Sequence, residues 1–313
     1  MTQLPAEFVE RLRAIVPPQR WDAVWQALHT EKAVGARINP LRAEGGPRLF
    51  EKLKNAGLAV QPLEGLQGGF WVPAGQKSAL SHRPEAETGE IYIQNPSSQW
   101  VGQLVGAQPG EEVLDLAAAP GSKTTQLAAM MDNTGYLAAV EAIKPRYFRL
   151  QDNLKRMGVT NCRTFLADGR SIGHKVPERF DRVLLDAPCS SEGRISALDA
   201  DSFAHWSPRK IKEQSRKQRG LILSAWRALK PGGVLTYATC SFAPEENERT
   251  VAYLLKKHPE AELAPIELPF DNWQPGLTTW QGKTFPEALR HARRILPTEL
   301  FDGFFVAQIK KPR

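Results

Sequence analysis

"EVLDLAAAPGSKTTQLAAMMDNTGYLAAVE", residues 112–141, decides the fold. An apolar, β-rich run stops at Pro120-Gly121, a helical segment starts at Ser122 and reaches Asn133 and Gly135, and a second apolar run ends on Glu141. Short apolar runs bounded by turn residues and separated by a helix are the pattern of neighbouring parallel strands.

The alternation continues towards the C-terminus. "KPRYFRLQDNLKRMG" (144–158) is a helix ended by Gly158, "CRTFLAD" (162–168) a third strand and "FDRVLLDAP" (180–188) a fourth. "SPRKIKEQSRKQRGLILSAWRALKPGG" (207–233) opens with Ser207 as N-cap and Pro208 at the first helical position. It carries Ile211, Gln218, Ile222, Ala225 and Leu229 on one stripe and is expected to stop at Pro231-Gly232-Gly233. "GVLTYATC" (233–240) is a fifth strand, "PEENERTVAYLLKKH" (244–258) a helix and "DGFFVAQIKK" (302–311) a closing strand. The fold class is therefore α/β, with a parallel, doubly wound sheet. Residues 1–92 read as a small accessory α/β module. "PAEFVERLRAIV" and "WDAVWQALHT" are its amphipathic helices, and "GFWVPAG" and "GEIYIQNPSSQ" are strand pieces. The main domain is 93–313.

Bulk properties narrow the function. The 313 residues are 42% apolar and 24% charged, without an apolar run of membrane-spanning length or a secretory leader pattern. Three cysteines without framework spacing imply a reducing, cytoplasmic setting, and the scattered histidines suggest no metal site. A net charge of +7 suits a polyanionic partner. The excess is concentrated: residues 194–230 hold nine Lys or Arg against three acids. Arg194 and the helical face of Arg209, Lys212, Arg216 and Arg219 are candidates for phosphate contacts. Trp206 could stack on a base or pack in the core, and Phe304 and Phe305 are expected to pack the last strand.

In doubly wound sheets, ligands sit at the carboxyl ends of the strands. Here the first strand ends in Ala117-Ala118-Ala119-Pro120-Gly121-Ser122-Lys123, small residues that let a ligand approach the backbone ahead of a helix N-terminus. The pattern matches neither the phosphate-cradling loop nor the dinucleotide glycine fingerprint, which disfavours a nicotinamide-dependent dehydrogenase. Glu141, 20 positions after Gly121, is placed to accept bonds from ribose hydroxyls; Asp168 ends the third strand and Asp186 the fourth. Acids and a small-residue loop at successive strand ends describe a nucleoside site without a triphosphate. Two of the three cysteines, Cys189 and Cys240, follow the fourth and fifth strands at this edge, whereas Cys162 begins a strand on the far side. A thiolate beside a bound nucleoside suits addition to carbon 6 of a pyrimidine, which makes carbon 5 nucleophilic.

The segments "LDLAAAPGSKTTQLA", "LLDAPCSSEG", "YATCSFAPEENE" and "DGFFVAQIKK" resemble the NOP/Sun family of RNA cytosine-5 methyltransferases, over roughly residues 35–313. The resemblance implies a Rossmann-like class I methyltransferase domain that uses S-adenosylmethionine. It also implies covalent bonding by Cys240, product release assisted by Cys189, and donor binding by residues 117–123, Glu141, Asp168 and Asp186. Two positions depart from the family pattern: Ser122 replaces a glycine, and Asn95 stands where many members have Asp. The expected substrate is structured ribosomal RNA, with tRNA second and no DNA, and the protein is expected to act as a monomer. A catalytically silent RNA-binding or assembly factor on the same fold is the alternative. The resemblance extends to an RNA-facing N-terminal module carrying Arg37 and Asn39.

Overall fold

The computed structural model describes residues 3–43 and 45–313. Two helices come first, α1 (Ala6–Ile15) and α2 (Trp21–Leu28). A four-stranded antiparallel sheet follows: β1 (Val34–Ile38), β2 (Gln61–Pro62), β3 (Gly69–Val72) and β4 (Ile91–Ile93), in the order β2-β3-β1-β4. Helices α3 (Gly46–Asn55), α4 (Lys77–Ser81) and α5 (Pro84–Glu87) connect its strands. The expected boundary at 92/93 falls inside β4. Helices α1 and α2 do not share the small sheet's core: Phe8, Leu12, Val24 and Leu28 pack with Ile195, Ala197 and Phe242 of the main domain.

The stretch read as a strand around "QNPSSQ" is helix α6 (Pro96–Val105). Asn95 caps it by accepting from Ser97 N at 2.9 Å, with Pro96 at the first helical position, so the signal for a helix start was present. The main domain continues with β5 (Glu112–Asp115), α7 (Ser122–Met130), β6 (Tyr136–Glu141), α8 (Lys144–Arg156) and β7 (Cys162–Leu166). After the short α9 (Ile172–Lys175) come β8 (Phe180–Asp186), α10 (Pro208–Ala228), β9 (Leu229–Thr239) and α11 (Glu248–Lys257). Short strands then lead to the C-terminus: β10 (Glu262–Ala264), β11 (Trp273–Pro275), β12 (Thr279–Trp280), β13 (Lys283–Thr284), β14 (Arg293–Ile295) and β15 (Phe304–Lys310).

The large sheet has the order β11-β14-β15-β9-β8-β5-β6-β7. The five strands β7, β6, β5, β8 and β9 are parallel, as expected, but β15, β14 and β11 are antiparallel, so the sheet is mixed. Helix α11 returns the chain to the amino end of β9, and residues 258–303 contain no further long helix. The last strand therefore starts at the carboxyl edge, with Phe305 opposite Thr239, and runs back down. Alternate strand residues serve opposite faces. Leu114, Val183 and Leu185 pack with Ile222, Trp226 and Leu254, while Val113, Leu184 and Ala238 pack with Val101, Leu127 and Met131. Burial on both faces explains why Val113 and Leu114 of β5, and Val183, Leu184 and Leu185 of β8, are apolar at successive positions.

Two element ends differ from expectation. Helix α10 stops at Ala228, and Pro231-Gly232-Gly233 lies within β9, where the register against β8 slips between Phe180↔Leu229 and Arg182↔Val234. Helix α11 begins at Glu248 because Pro244–Asn247 forms turns whose side chains bond backwards: Asn247 Nδ2 donates to Ser241 O at 2.8 Å.

Arg37 and Asn39 do not face outward. Arg37 is 3% exposed and donates to Gln94 Oε1 (2.8 Å), Ser122 O (3.1 Å) and Thr125 Oγ1 (2.6 Å); Asn39 is fully buried and donates to Gly89 O and Met157 O. They join the small sheet to α7 and α8, which corrects their expected RNA-facing role. Among the described residues no helix is long and apolar enough to cross a membrane.

Candidate active site

The two thiols meet. Pairing of β8 with β9 continues past the strands through Ala187 N to Ala238 O (2.8 Å), and Gly193 N reaches Cys240 O (2.9 Å). These bonds hold the Cys189 loop against the end of β9, with the sulfurs 3.3 Å apart and unbridged. Their surroundings differ. The hydrogen bond from the Cys189 thiol pulls the Cys240 pKa below the ordinary range, helped by Ser191 and the charge of Arg194 and opposed by burial and Asp186. Ser191 Oγ is 3.7 Å from Cys240 Sγ. The Cys189 thiol is pushed well up by donating to Cys240, by burial, and by the negative charges of Cys240 and Glu246. Of the two thiols, Cys240 is therefore the one whose surroundings favour losing the proton. Cys162 is elsewhere, packed against the core of Leu150 and Leu154, and burial lifts its pKa to about 12.

A buried polar network supports the Cys189 loop. Glu246 accepts from Ser190 N (3.0 Å), Ser190 Oγ, Ser241 Oγ (2.9 Å) and Gln218 Nε2 (2.8 Å). Glu192 accepts from Trp206 Nε1 (2.8 Å), Phe242 N (3.0 Å) and Ser241 Oγ (3.1 Å). Ser241 has one hydroxyl proton and two carboxylate neighbours, so it can donate to only one of them, and the other contact is satisfied when that carboxyl is protonated. Burial raises both acids, Glu246 to about 7. Trp206 is thus half-buried against the core, its ring edge-on to Phe8 at 5.7 Å. A further close approach comes from the closing strand. Gly303 N donates to Gly193 O, and a Cβ on Gly303 would lie 2.3 Å from the Phe242 ring.

The small-residue loop lies at the same carboxyl edge and is tightly braced. Ala118 N donates to Val140 O, Ala119 O accepts from Arg146 Nη2 (2.6 Å) and Pro120 O from Asn153 Nδ2 (2.8 Å). Gly121 sits at φ 105°, a conformation that favours glycine. Ala117 packs at the margin of the main core, and Ser122 begins α7 with its carbonyl taken by Arg37. Lys123, 5% exposed, donates to Asp186 Oδ2 (2.6 Å) and Ser98 Oγ (2.7 Å), and its ammonium lies 5.2 Å from the centre of the Phe304 ring. Glu141 is buried at the end of β6 and accepts from Ile143 N (2.9 Å). Asp168 caps its own turn and pairs with Arg170 at 2.5 Å, which lowers its pKa. Asp115 ends β5 fully buried. It accepts from Thr124 Oγ1 (2.7 Å), its Oδ1 has no partner, and burial lifts it to about 7.

Arg194, Arg209, Lys212 and Arg216 are all exposed. Lys212 and Arg216 line one cavity of about 390 Å³ with Arg219, and Arg194 lies close enough to Cys240 to stabilise negative charge there. The sequence reading missed Glu192, Glu246, Asp115 and Gly303. The signal was weak but present: two of them lie in the "PCSSEG" and "APEENE" segments that carry or follow the cysteines. Among the described residues no group of His, Cys, Asp and Glu is arranged to hold a metal ion.

Known proteins are similar to this chain in sequence and fold. Ribosomal RNA small subunit methyltransferase F of Pectobacterium carotovorum is 37% identical over 317 residues, covering 98% of this chain and 63% of that protein. The enzyme of the same name from Klebsiella pneumoniae is 37% identical over 315 residues, again covering 98% and 63%. The chain thus spans a little under two thirds of the length of these curated relatives. The crystal structure of a methyltransferase homolog protein from Pyrococcus horikoshii superposes with a TM-score of 0.80 at 31% identity, covering 98% of this chain and 100% of that one. Residues 103–310 match the family described as 16S rRNA methyltransferase RsmB/F, and it is to this family that the chain belongs.

Proposed function

We propose that this chain methylates carbon 5 of cytosine in structured RNA, ribosomal RNA first, with S-adenosylmethionine as methyl donor. The observation that carries the reading is the 3.3 Å approach of Cys189 and Cys240 at adjoining strand ends, with the environment favouring the thiolate on Cys240. The curated relatives named as ribosomal RNA methyltransferases support the substrate class.

The donor set fits this nucleoside. Glu141 and Asp186, and Asp168 beside them, present carboxylates at one edge, and Asp115 leaves an unpartnered buried oxygen there. They suit a ribose diol and a cationic centre, while the braced loop 117–123 lets a ligand lie close to the backbone. Bound S-adenosylmethionine supplies an electrophilic methyl group. The Cys240 thiolate adds to carbon 6 of the extruded cytosine, and the electron pair that moves to carbon 5 makes it the nucleophile. Once carbon 5 is methylated, its proton leaves to a base and the carbon–sulfur bond breaks, returning Cys240 as thiolate. Cys189, protonated beside it, stabilises the departing sulfur. Arg194, Arg209, Lys212 and Arg216 meet phosphates, which position the RNA without reading its sequence.

The test is a denaturing gel of enzyme, labelled RNA and donor. Cys189→Ala accumulates a covalent protein–RNA adduct, whereas Cys240→Ala yields neither adduct nor methylated product. An adduct that persists in Cys240→Ala reverses the assignment, and no methyl transfer by the unaltered chain to any RNA overturns the reading.

A further inference from the structure

A second basic site lies behind the turn that supports the cysteine loop. The cavity of about 390 Å³ is lined by residues of three helices: Arg11 of α1, Lys212, Arg216 and Arg219 of α10, and Arg249 of α11. Its one acid, Glu245, is occupied: Oε2 accepts from Arg11 Nη2 at 2.8 Å and Oε1 from Trp280 Nε1 at 3.2 Å. Five cations and one paired acid leave a strong local excess of positive charge.

Two of these guanidiniums are incompletely satisfied. Arg11 Nε and Arg219 Nε are buried without a hydrogen-bond partner. Such orphaned donors are rare in folded proteins, and they leave both guanidiniums short of acceptors at the cavity wall. The side chains are also held in place. Arg219 lies over the Tyr253 ring at 5.4 Å and Arg11 over the Trp280 ring at 5.4 Å. Burial, together with the like charges of Arg249 and Arg216, draws the Arg219 guanidinium below its usual range. An anion in the cavity relieves the crowding of like charge. Planar guanidinium forks match phosphate oxygens in pairs. The hydroxyl of Ser215, the remaining polar group of the wall, is committed to Glu245 O at 2.7 Å, so the site reads charge and not base identity.

We propose that this groove binds a backbone phosphodiester of the substrate RNA, at a site built by Arg11, Arg219 and Arg249 in addition to the exposed face of α10. The inference rests on the RNA reading above. Its placement has a mechanical sense. Glu245 forms one wall, and the next residue, Glu246, holds Ser190 beside Cys189. A phosphate clamped here fixes the strand on the far side of the turn from the two thiols.

The experiment compares the unaltered chain with Arg219→Gln/Arg249→Gln, measuring RNA binding against salt, KM against kcat, and donor binding by calorimetry. The double variant is expected to weaken RNA binding about tenfold and to reduce the log–log salt slope by about 1 to 2. The loss falls on KM more than on kcat, and donor affinity is unchanged. Removing crowded like charges favours folding, and the single variant Arg249→Gln, at a half-buried position, gives half the slope change where the double variant folds poorly. A second arm adds inorganic phosphate at millimolar concentration. Competition with RNA in the unaltered chain that is lost in the variant places the anion in the groove. If the unaltered chain methylates RNA and both variants keep its affinity, slope and KM, the groove proposal is overturned. If the unaltered chain transfers no methyl group at all, it is the RNA reading that falls.

Discussion

Glu246→Gln tests whether the polar network behind Cys189 holds a shared proton. Glu246 is fully buried and its carboxyl titrates at about 7 instead of 4.5. Folding therefore takes up a proton between these values. The sign follows from linkage: where the native state binds more protons than the unfolded chain, stability falls as pH rises. The Glu246 contribution is complete at pH 4.5, declines through pH 7 and is level above it. At about 1.4 kcal/mol per pH unit, the displacement corresponds to about 3 kcal/mol. Asp115 is raised to about 7 over the same window, so the unaltered chain alone cannot isolate one acid. The difference between chains can. Urea unfolding of both at pH 5 and pH 8.5 should show a pH-dependent loss about 3 kcal/mol smaller in Glu246→Gln. Ser241→Ala, which removes the hydroxyl between the two carboxyls, should alter the midpoint of the decline without abolishing it. Equal losses in the unaltered chain and Glu246→Gln, within about 1 kcal/mol, would refute the shared-proton argument.

Two further perturbations address the scaffold around the thiols. Arg294 and Glu248 form a buried pair with bonds of 2.5 and 2.6 Å, and Arg294→Met strands the carboxylate; urea unfolding at pH 7.5 should show a loss of about 3–5 kcal/mol. Gly303→Ala drives a methyl group to 2.3 Å from the buried Phe242 ring, so adduct formation by the Cys189→Ala chain should slow even where thermal unfolding shows the protein folded.

The parallel half of the fold was legible because its strands are buried on both faces and therefore place apolar residues side by side, as in Val113-Leu114 and Val183-Leu184-Leu185. The edge at which ligands gather followed from the alternation of strands and helices, and it placed Cys189 and Cys240 near each other before any distance was known. In the antiparallel half the closing strand was legible, but its direction and the short strands before it were not. Residues 258–303 form strands of two or three residues whose pairing depends on long-range register, and such segments leave no periodicity. Helix α6 was misread although Asn95 and Pro96 mark its start, because the apolar "IYI" just before it draws the eye to a strand. The buried acids were hidden for a physical reason. "PEENE" looks like a solvated helix start, and only the backward-bonded turn at residues 244–247 turns Glu246 inward. Arg37 failed in the opposite direction: the resemblance placed it on an RNA-facing module, yet three acceptors inside the fold hold it.

The division of labour between the thiols rests on what lies behind each of them. Two sulfurs at 3.3 Å with one proton between them are chemically alike, and their separation alone assigns no roles. The bond between them and burial act first, and the next layer adds to the asymmetry. Arg194 and the Ser191 hydroxyl face Cys240, while the field of Glu246 falls on Cys189. A carboxylate there penalises negative charge on Cys189 and leaves the proton where a departing sulfur needs it. The same carboxylate holds Ser190 by its N–H and hydroxyl, fixing the loop that carries Cys189. One buried acid thus fixes the position of its neighbouring thiol and adds to the penalty that the bond to Cys240 and burial already place on its ionisation. A raised titration point at Glu246 makes its share graded: near neutrality the acid is part protonated, and its contribution to the bias grows as pH rises through about 7.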